Sequence, residues 1–153
     1  MLVRDVMTVN PKTVTPETKL LEVASLMCMF RYSGFPVLDT GGQLVGFIAE
    51  KDLLHRLFPT LEELMEGMAS VDLDAMLGQY KDVLNLKVKD LMQRRVITIS
   101  PDMHVLRGAA LMVKHRFRRI PVAEGDRLVG MMSLGDVHKA LFQANISEMM
   151  AGR

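Results

Sequence analysis

Apolar residues recur at helical spacing in two stretches, Leu20, Val23, Ala24 and Met27, and again Val105, Gly108, Ala109 and Met112. Steps of three and four place each set on one face, which predicts helices from Leu20 to about Tyr32 and from Val105 to about Phe117. Each is preceded by an extended piece ending at Pro16 or Pro101, because the residue before a proline is pushed out of the helical region. Each is followed by two β-rich runs around a polar turn that holds a glycine, FPVL then QLVGFIA, and IPVAE then RLVGMMS, which reads as a hairpin. The segments GFIAEKDLLHRL and GMMSLGDVHKAL then open a closing helix in each case.

These parallels are a duplication. VRDVM at 3–7 matches VKDLM 85 positions further on, at 88–92. The same offset carries Thr13-Val14-Thr15-Pro16 onto Thr98-Ile99-Ser100-Pro101 and Phe35-Pro36-Val37 onto Ile120-Pro121-Val122. It falls to 84 between DTGGQ and EGDR, so that Gly46 matches Gly130 and Asp52 matches Asp136; a turn is where such a slip costs least. The expected organisation is repeat one over 1–58, a helical insert over 59–87, repeat two over 88–145 and a tail over 146–153. Copies of about 55 residues are marginal alone, so an α/β (α+β) fold with both repeats packed as one pseudo-symmetric unit is expected.

The insert has its own pattern. Leu61, Leu64, Met65 and Met68 lie at helical spacing behind Thr60 and Glu63, which have the separation of a capping box. Leu73, Met76, Leu77 and Tyr80 form a second stripe, so a helical hairpin is expected. From Leu57 to Tyr80 there is no lysine or arginine, while Glu62, Glu63, Glu66, Asp72 and Asp74 supply five acids. Acids facing water with the stripes packed inward is the plain reading; a docking surface for a basic partner is the alternative.

Composition narrows the function classes. Nineteen basic against eighteen acidic residues leave a net charge of +1, so no global field points to nucleic acid or an anionic membrane. No apolar run is long enough for a span, and nothing resembles an export signal. The single Cys28, in LMCMF, is expected to be a small buried hydrophobe, and one cysteine fits a reducing cytoplasm. The fourteen methionines suit gap filling on apolar faces. The four histidines show no metal-protease spacing, and no nucleophile elbow or P-loop is present, so an enzyme is not expected.

The V-x-D-h-M start (h apolar), the T-h-[ST]-P piece, the h-P-V strand and the G-h-h-x-x-x-D segment, in register twice over, resemble a tandem pair of CBS domains, a Bateman module. The resemblance covers nearly the whole chain except the insert and tail. It implies a β-α-β-β-α unit per copy and an adenosine-containing ligand, AMP, ADP, ATP or S-adenosylmethionine, in an inter-repeat cleft. It also implies a homodimer and a regulatory role on an enzyme or transporter; no cofactor or metal is expected. A ligand-free dimerisation or docking scaffold is the alternative.

Ser133 and Asp136 carry the candidate chemistry. A strand feeding a helix offers free N–H groups and the positive helix end to a phosphate; a hydroxyl there can donate to it, and an aspartate one turn in can accept from both ribose hydroxyls. The same Ser-x-x-Asp pattern is also a helix cap, and the two roles can coexist. Arg118 and Arg119 align with Ser33 and Gly34, and Ser133 with Ala49; basic residues just before the h-P-V strand often reach the phosphates in the resembling family. Repeat two thus has hydroxyl, aspartate and two arginines, where repeat one keeps only Asp52. With Ile97, Thr98, Pro121 and Gly130 these form the expected main site; Asp52, Thr13, Gly46 and Pro36 form a weaker one. The cluster Lys114, His115, Arg116, Arg118 and Arg119 around Phe117 is too short a basic–aromatic interleave to make a nucleic-acid partner the expectation.

Overall fold

The computed structural model describes residues 1–57 and 72–152. The first part of the insert, with Thr60, Leu61, Glu63, Leu64, Met65 and Met68, lies outside the described residues. The chain divides into two compact units that do not follow the repeats: one is Lys12–Val96, and the other joins Met1–Pro11 to Ile97–Arg153. They are called the first and second unit below.

In the first unit, α1 (Leu20–Phe30) leads to strands β1 (Gly34–Leu38) and β2 (Leu44–Ala49), then to α2 (Glu50–His55), α3 (Leu73–Leu84) and α4 (Val88–Leu91). The strands pair antiparallel, Gly34 opposite Ala49 and Val37 opposite Gly46, with an irregularity after Val37. The expected leading strand contributes one parallel bridge, Val14 to Val37: Val14 N–H donates to the Pro36 carbonyl, and its own carbonyl accepts from Leu38 N–H. The core gathers Val14, Leu20, Val23, Met27, Phe35, Val37, Ile48, Leu53, Val83, Val88 and Met92.

The second unit repeats this design. A short 3-10 turn, Val3–Asp5, precedes α5 (Val105–His115), β3 (Arg119–Glu124), β4 (Arg127–Ser133) and α6 (Leu134–Ala151). Arg119 stands opposite Ser133 and Val122 opposite Gly130, and Ile99 bridges Val122 as Val14 bridges Val37. The two hairpin turns hold Gly42 and Gly125 at φ 79° and 61°, in the left-handed region that glycine enters freely. Those turns are where the alignment slips from 85 to 84.

Both long helices stop about two residues earlier than expected. Arg31 and Arg116 take φ of 56° and 58° and reverse the chain, and Phe117 N–H then donates to the Met112 carbonyl at 2.9 Å, the longer bond of a Schellman ending. Arg116 is therefore a helix terminator, as is its counterpart Arg31.

Cys28 is exposed, not buried as expected. The buried arc of α1 is centred on Leu20, Val23 and Met27, and Cys28 lies about a quarter turn past it. An apolar run such as LMCMF disguises the edge of the stripe, and Met29 beside it is 71% exposed. On α3 the inward stripe is also rotated. Val83 is buried and Tyr80 packs on the core, whereas Leu73 and Leu77 are 52% and 74% exposed.

The two V-x-D-h-M motifs are exchanged between the repeats. Val3 sits in the core built by repeat two, and Val88 in the core built by repeat one. The seating contacts correspond pair by pair. Val3 N–H donates to Met103 O and Val88 N–H to Thr18 O; Arg4 N–H donates to Pro101 O and Lys89 N–H to Pro16 O. The Arg4–Asp102 ion pair has its counterpart in Lys89–Glu17 at 2.9 Å. Lys87 adds a second bond to Glu17 at 2.6 Å, and this pair of lysines holds the Glu17 carboxyl down to about 2.

Candidate functional site

In the second unit the end of the β3–β4 hairpin and the first turn of α6 come together because the chain passes from strand to helix at Ser133. Ser133 is the N-cap of α6: its Oγ accepts from Asp136 N–H at 3.0 Å, and Asp136 Oδ2 accepts from Ser133 N–H at 3.3 Å. The capping role is thus real. It uses one lone pair of the serine oxygen and leaves its O–H able to donate to an anion. It engages one carboxylate oxygen of Asp136 and, among the described residues, leaves Oδ1 without a hydrogen bond.

Arg119 is brought to this end as the strand partner of Ser133. Arg118 is exposed, and its carbonyl accepts from Leu134 N–H. Sequence-distant arginines and the Ser-x-x-Asp turn therefore share one edge. Ile97 is 38% exposed and Thr98 half-buried; among the described residues neither spends a backbone group on a backbone partner. Pro121 is buried and its carbonyl takes the Ile99 N–H, so it fixes the extended piece beside β3. Gly130 is buried as well. A Cβ there would lie 2.8 Å from the Thr8 carbonyl oxygen and 2.9 Å from Met7 Sδ, so the glycine admits the exchanged segment.

The corresponding place in the first unit is built differently. Asp52 is 6% exposed, and both its oxygens are engaged: Oδ2 accepts from Ala49 N–H at 2.8 Å, and Oδ1 from the side-chain amide of Gln93 at 2.9 Å. Gly34, aligned with Arg119, has no room for a side chain, since a Cβ would lie 2.5 Å from Phe47 Cε1. Gly46 would press a Cβ to 2.7 Å from Met92 Sδ and 3.0 Å from the Gln93 carbonyl. Thr13 is exposed and Pro36 buried, with the Pro36 carbonyl taken by Val14.

Gln93 and Phe47 were not among the residues expected here. The signal was present: at the offset of 85, Gln93 aligns with Thr8 directly after the V-x-D-h-M motif. Finding it required knowing that the motif crosses to the other repeat.

A family model described as the CBS domain matches residues 3–59 and 88–143. An uncharacterised protein of Methanocaldococcus jannaschii is 33% identical over 154 residues, covering 92% of this chain and 91% of that protein. The crystal structure of CBSX2 in complex with AMP superposes with a TM-score of 0.72 at 26% identity, covering 94% of this chain and 98% of that one. An inosine-5'-monophosphate dehydrogenase of Staphylococcus epidermidis is 25% identical across 86% of this chain but only 22% of the enzyme, so the match involves one part of that protein. No helix among the described residues is long and apolar enough to cross a membrane.

Proposed function

The chain belongs to the CBS-domain family, with two copies of the domain, and from that premise we propose that it is a regulatory module that senses an adenosine-containing nucleotide and modulates a partner enzyme or transporter. The ligand is AMP, ADP, ATP or S-adenosylmethionine, held chiefly at the second unit. Asp136 accepts from the ribose hydroxyls. Ser133 and the N-terminus of α6 meet the phosphate with Arg118 and Arg119, and Ile97 and Thr98 supply backbone contacts to the base. The observation that carries this reading is the asymmetry between the copies: among the described residues the Ser133–Asp136 turn leaves one carboxylate oxygen without a hydrogen bond, while Asp52 in the first unit has both oxygens engaged. The AMP complex of the similar CBSX2 supports the ligand class. Catalysis forms no part of the proposal.

Exposed apolar residues at matching positions on α1 and α5, Leu21 (57%) with Leu106 (51%) and Cys28 with Val113 (67%), favour self-association, and we take the working form to be a homodimer. The same stripes suit a dimerising scaffold without ligand, so the test must separate the two. A ligand at 100 times its dissociation constant adds about 2.7 kcal/mol, which at roughly 2–4 °C per kcal/mol raises the melting temperature by about 5–11 °C. Thermal melts with AMP, ADP, ATP and S-adenosylmethionine are expected to show that rise for at least one. No shift with any of them leaves the scaffold.

A further inference from the structure

The two units differ at one position whose effect neither repeat alone reveals. The residue that follows V-x-D-h-M pairs, through both backbone groups, with the strand ahead of the other repeat's aspartate. Gln93 exchanges hydrogen bonds with Phe47 at 2.8 and 2.9 Å, and Thr8 with Met131 at 2.8 and 3.0 Å. The geometry is shared; the side chains are not. Gln93 reaches Asp52 Oδ1 and donates to it at 2.9 Å. Thr8, two heavy atoms shorter, is exposed and makes no hydrogen bond to Asp136 among the described residues.

We propose that this exchanged position decides whether a repeat's aspartate is open to a ligand: Gln93 is a built-in substitute for the ribose at Asp52, and Thr8 leaves Asp136 open. The proposal rests on the nucleotide reading above for what Asp136 binds, and on the first unit's geometry for what closes Asp52. An amide N–H aimed at a carboxylate supplies the donor that a sugar hydroxyl would otherwise bring, and a charged acceptor makes it a strong one. Phe47 closes the neighbouring position, because its ring occupies the space a side chain at residue 34 would need. Each repeat's site is thereby gated by a residue the other repeat supplies, and Ala49→Ser alone leaves both obstructions in place.

Transplanting the amide tests this directly. In the full chain, Thr8→Gln, at an exposed position with the same backbone pairing, is expected to weaken AMP or ATP binding at least tenfold by titration calorimetry, with Thr8→Ser staying within about twofold. Binding by Thr8→Gln within twofold of the unmodified chain overturns the proposal. If the unmodified chain binds neither AMP nor ATP, or Thr8→Gln fails to fold, a ligand-free cycle decides the gate by itself. Gln93→Ala and Asp52→Ala are combined and melted. Non-additivity of about 2–4 °C is expected from the lost contact, and additive effects overturn it. Absence of binding by AMP, ADP, ATP and S-adenosylmethionine alike, with clear coupling in the cycle, sinks the proposed function while leaving the closed first site standing.

Discussion

Removing each repeat's aspartate should separate stability from binding. Asp52→Ala deletes two acceptor bonds, at 2.8 Å from Ala49 N–H and 2.9 Å from Gln93, around a carboxylate only 6% exposed. Bonds to a charged group contribute about 1.5–3 kcal/mol each. Gln93 is itself exposed and recovers water when its partner goes, so the loss is set at roughly 2–4 kcal/mol for the pair. At roughly 2–4 °C per kcal/mol that is a fall of about 4–16 °C in melting temperature. Asp136→Ala deletes one longer bond, 3.3 Å from Ser133 N–H, on a half-buried side chain, and the backbone N–H that Ser133 caps survives the change. Its loss should be about 0.5–1.5 kcal/mol, or about 1–6 °C. The order reverses for nucleotide. Two charge-assisted bonds to ribose at Asp136, together about 3–6 kcal/mol, predict a weakening of about 100-fold to 10,000-fold, while Asp52→Ala should stay within about threefold. Scanning calorimetry gives the first ordering and nucleotide titration of the folded variants the second. Equal affinity losses, or a larger thermal loss at Asp136 than at Asp52, would refute the reasoning from these contacts.

Gly130→Ala must push a methyl against the Thr8 carbonyl oxygen at 2.8 Å and should cost about 1–3 kcal/mol. Gly78→Ala, in α3 with nothing within 4 Å among the described residues, should instead raise stability by about 0.5–1 kcal/mol; urea melts compare the two. Glu17 is held down to about 2 from an ordinary 4.5, by its hydrogen bond to Lys87 first and that to Lys89 second. A depressed carboxyl stabilises the fold above its unfolded value and loses that contribution as pH falls through the folded one. The difference in melting temperature between the unmodified chain and Glu17→Gln should therefore be constant near neutrality and shrink between pH 4.5 and about 2. Leu21→Glu with Leu106→Glu, on residues 57% and 51% exposed, should convert a dimer to a monomer by light scattering without lowering the monomer's stability; a mass unchanged at the dimer value would place the interface elsewhere.

Periodicity made the helices and hairpins readable because one face of each is buried and the other is not. Leu20, Val23 and Met27, with Val105, Gly108 and Met112, are the buried set the spacing indicates. Where an element is apolar all round, as at Cys28, the pattern has no contrast and the orientation is lost. The ends of α1 and α5 were hidden for a different reason: arginine in the left-handed region is a choice of local geometry that no hydrophobic pattern records. At the candidate site the pairing of Ser133 with Asp136 was legible because it is local, and the joining of Arg119 to Ser133 because a hairpin's register follows from its turn. Gln93, though it aligns with Thr8, could not be linked to the site because its partner Asp52 lies 41 residues away and belongs to the other copy's packing. Nothing in a linear comparison says that a motif serves its neighbour.

That mutual exchange of V-x-D-h-M segments has a consequence for how the protein can be divided. A fragment cut where the sequence repeats, at 88–143, would carry Val88 away from the core that houses it and leave its own core without Val3. Neither copy is a transferable part. Because each repeat lends its opening residues to the other, removing either copy takes a buried valine out of the core that the remaining copy builds. A division that respects the two cores instead takes Lys12–Val96 as one piece.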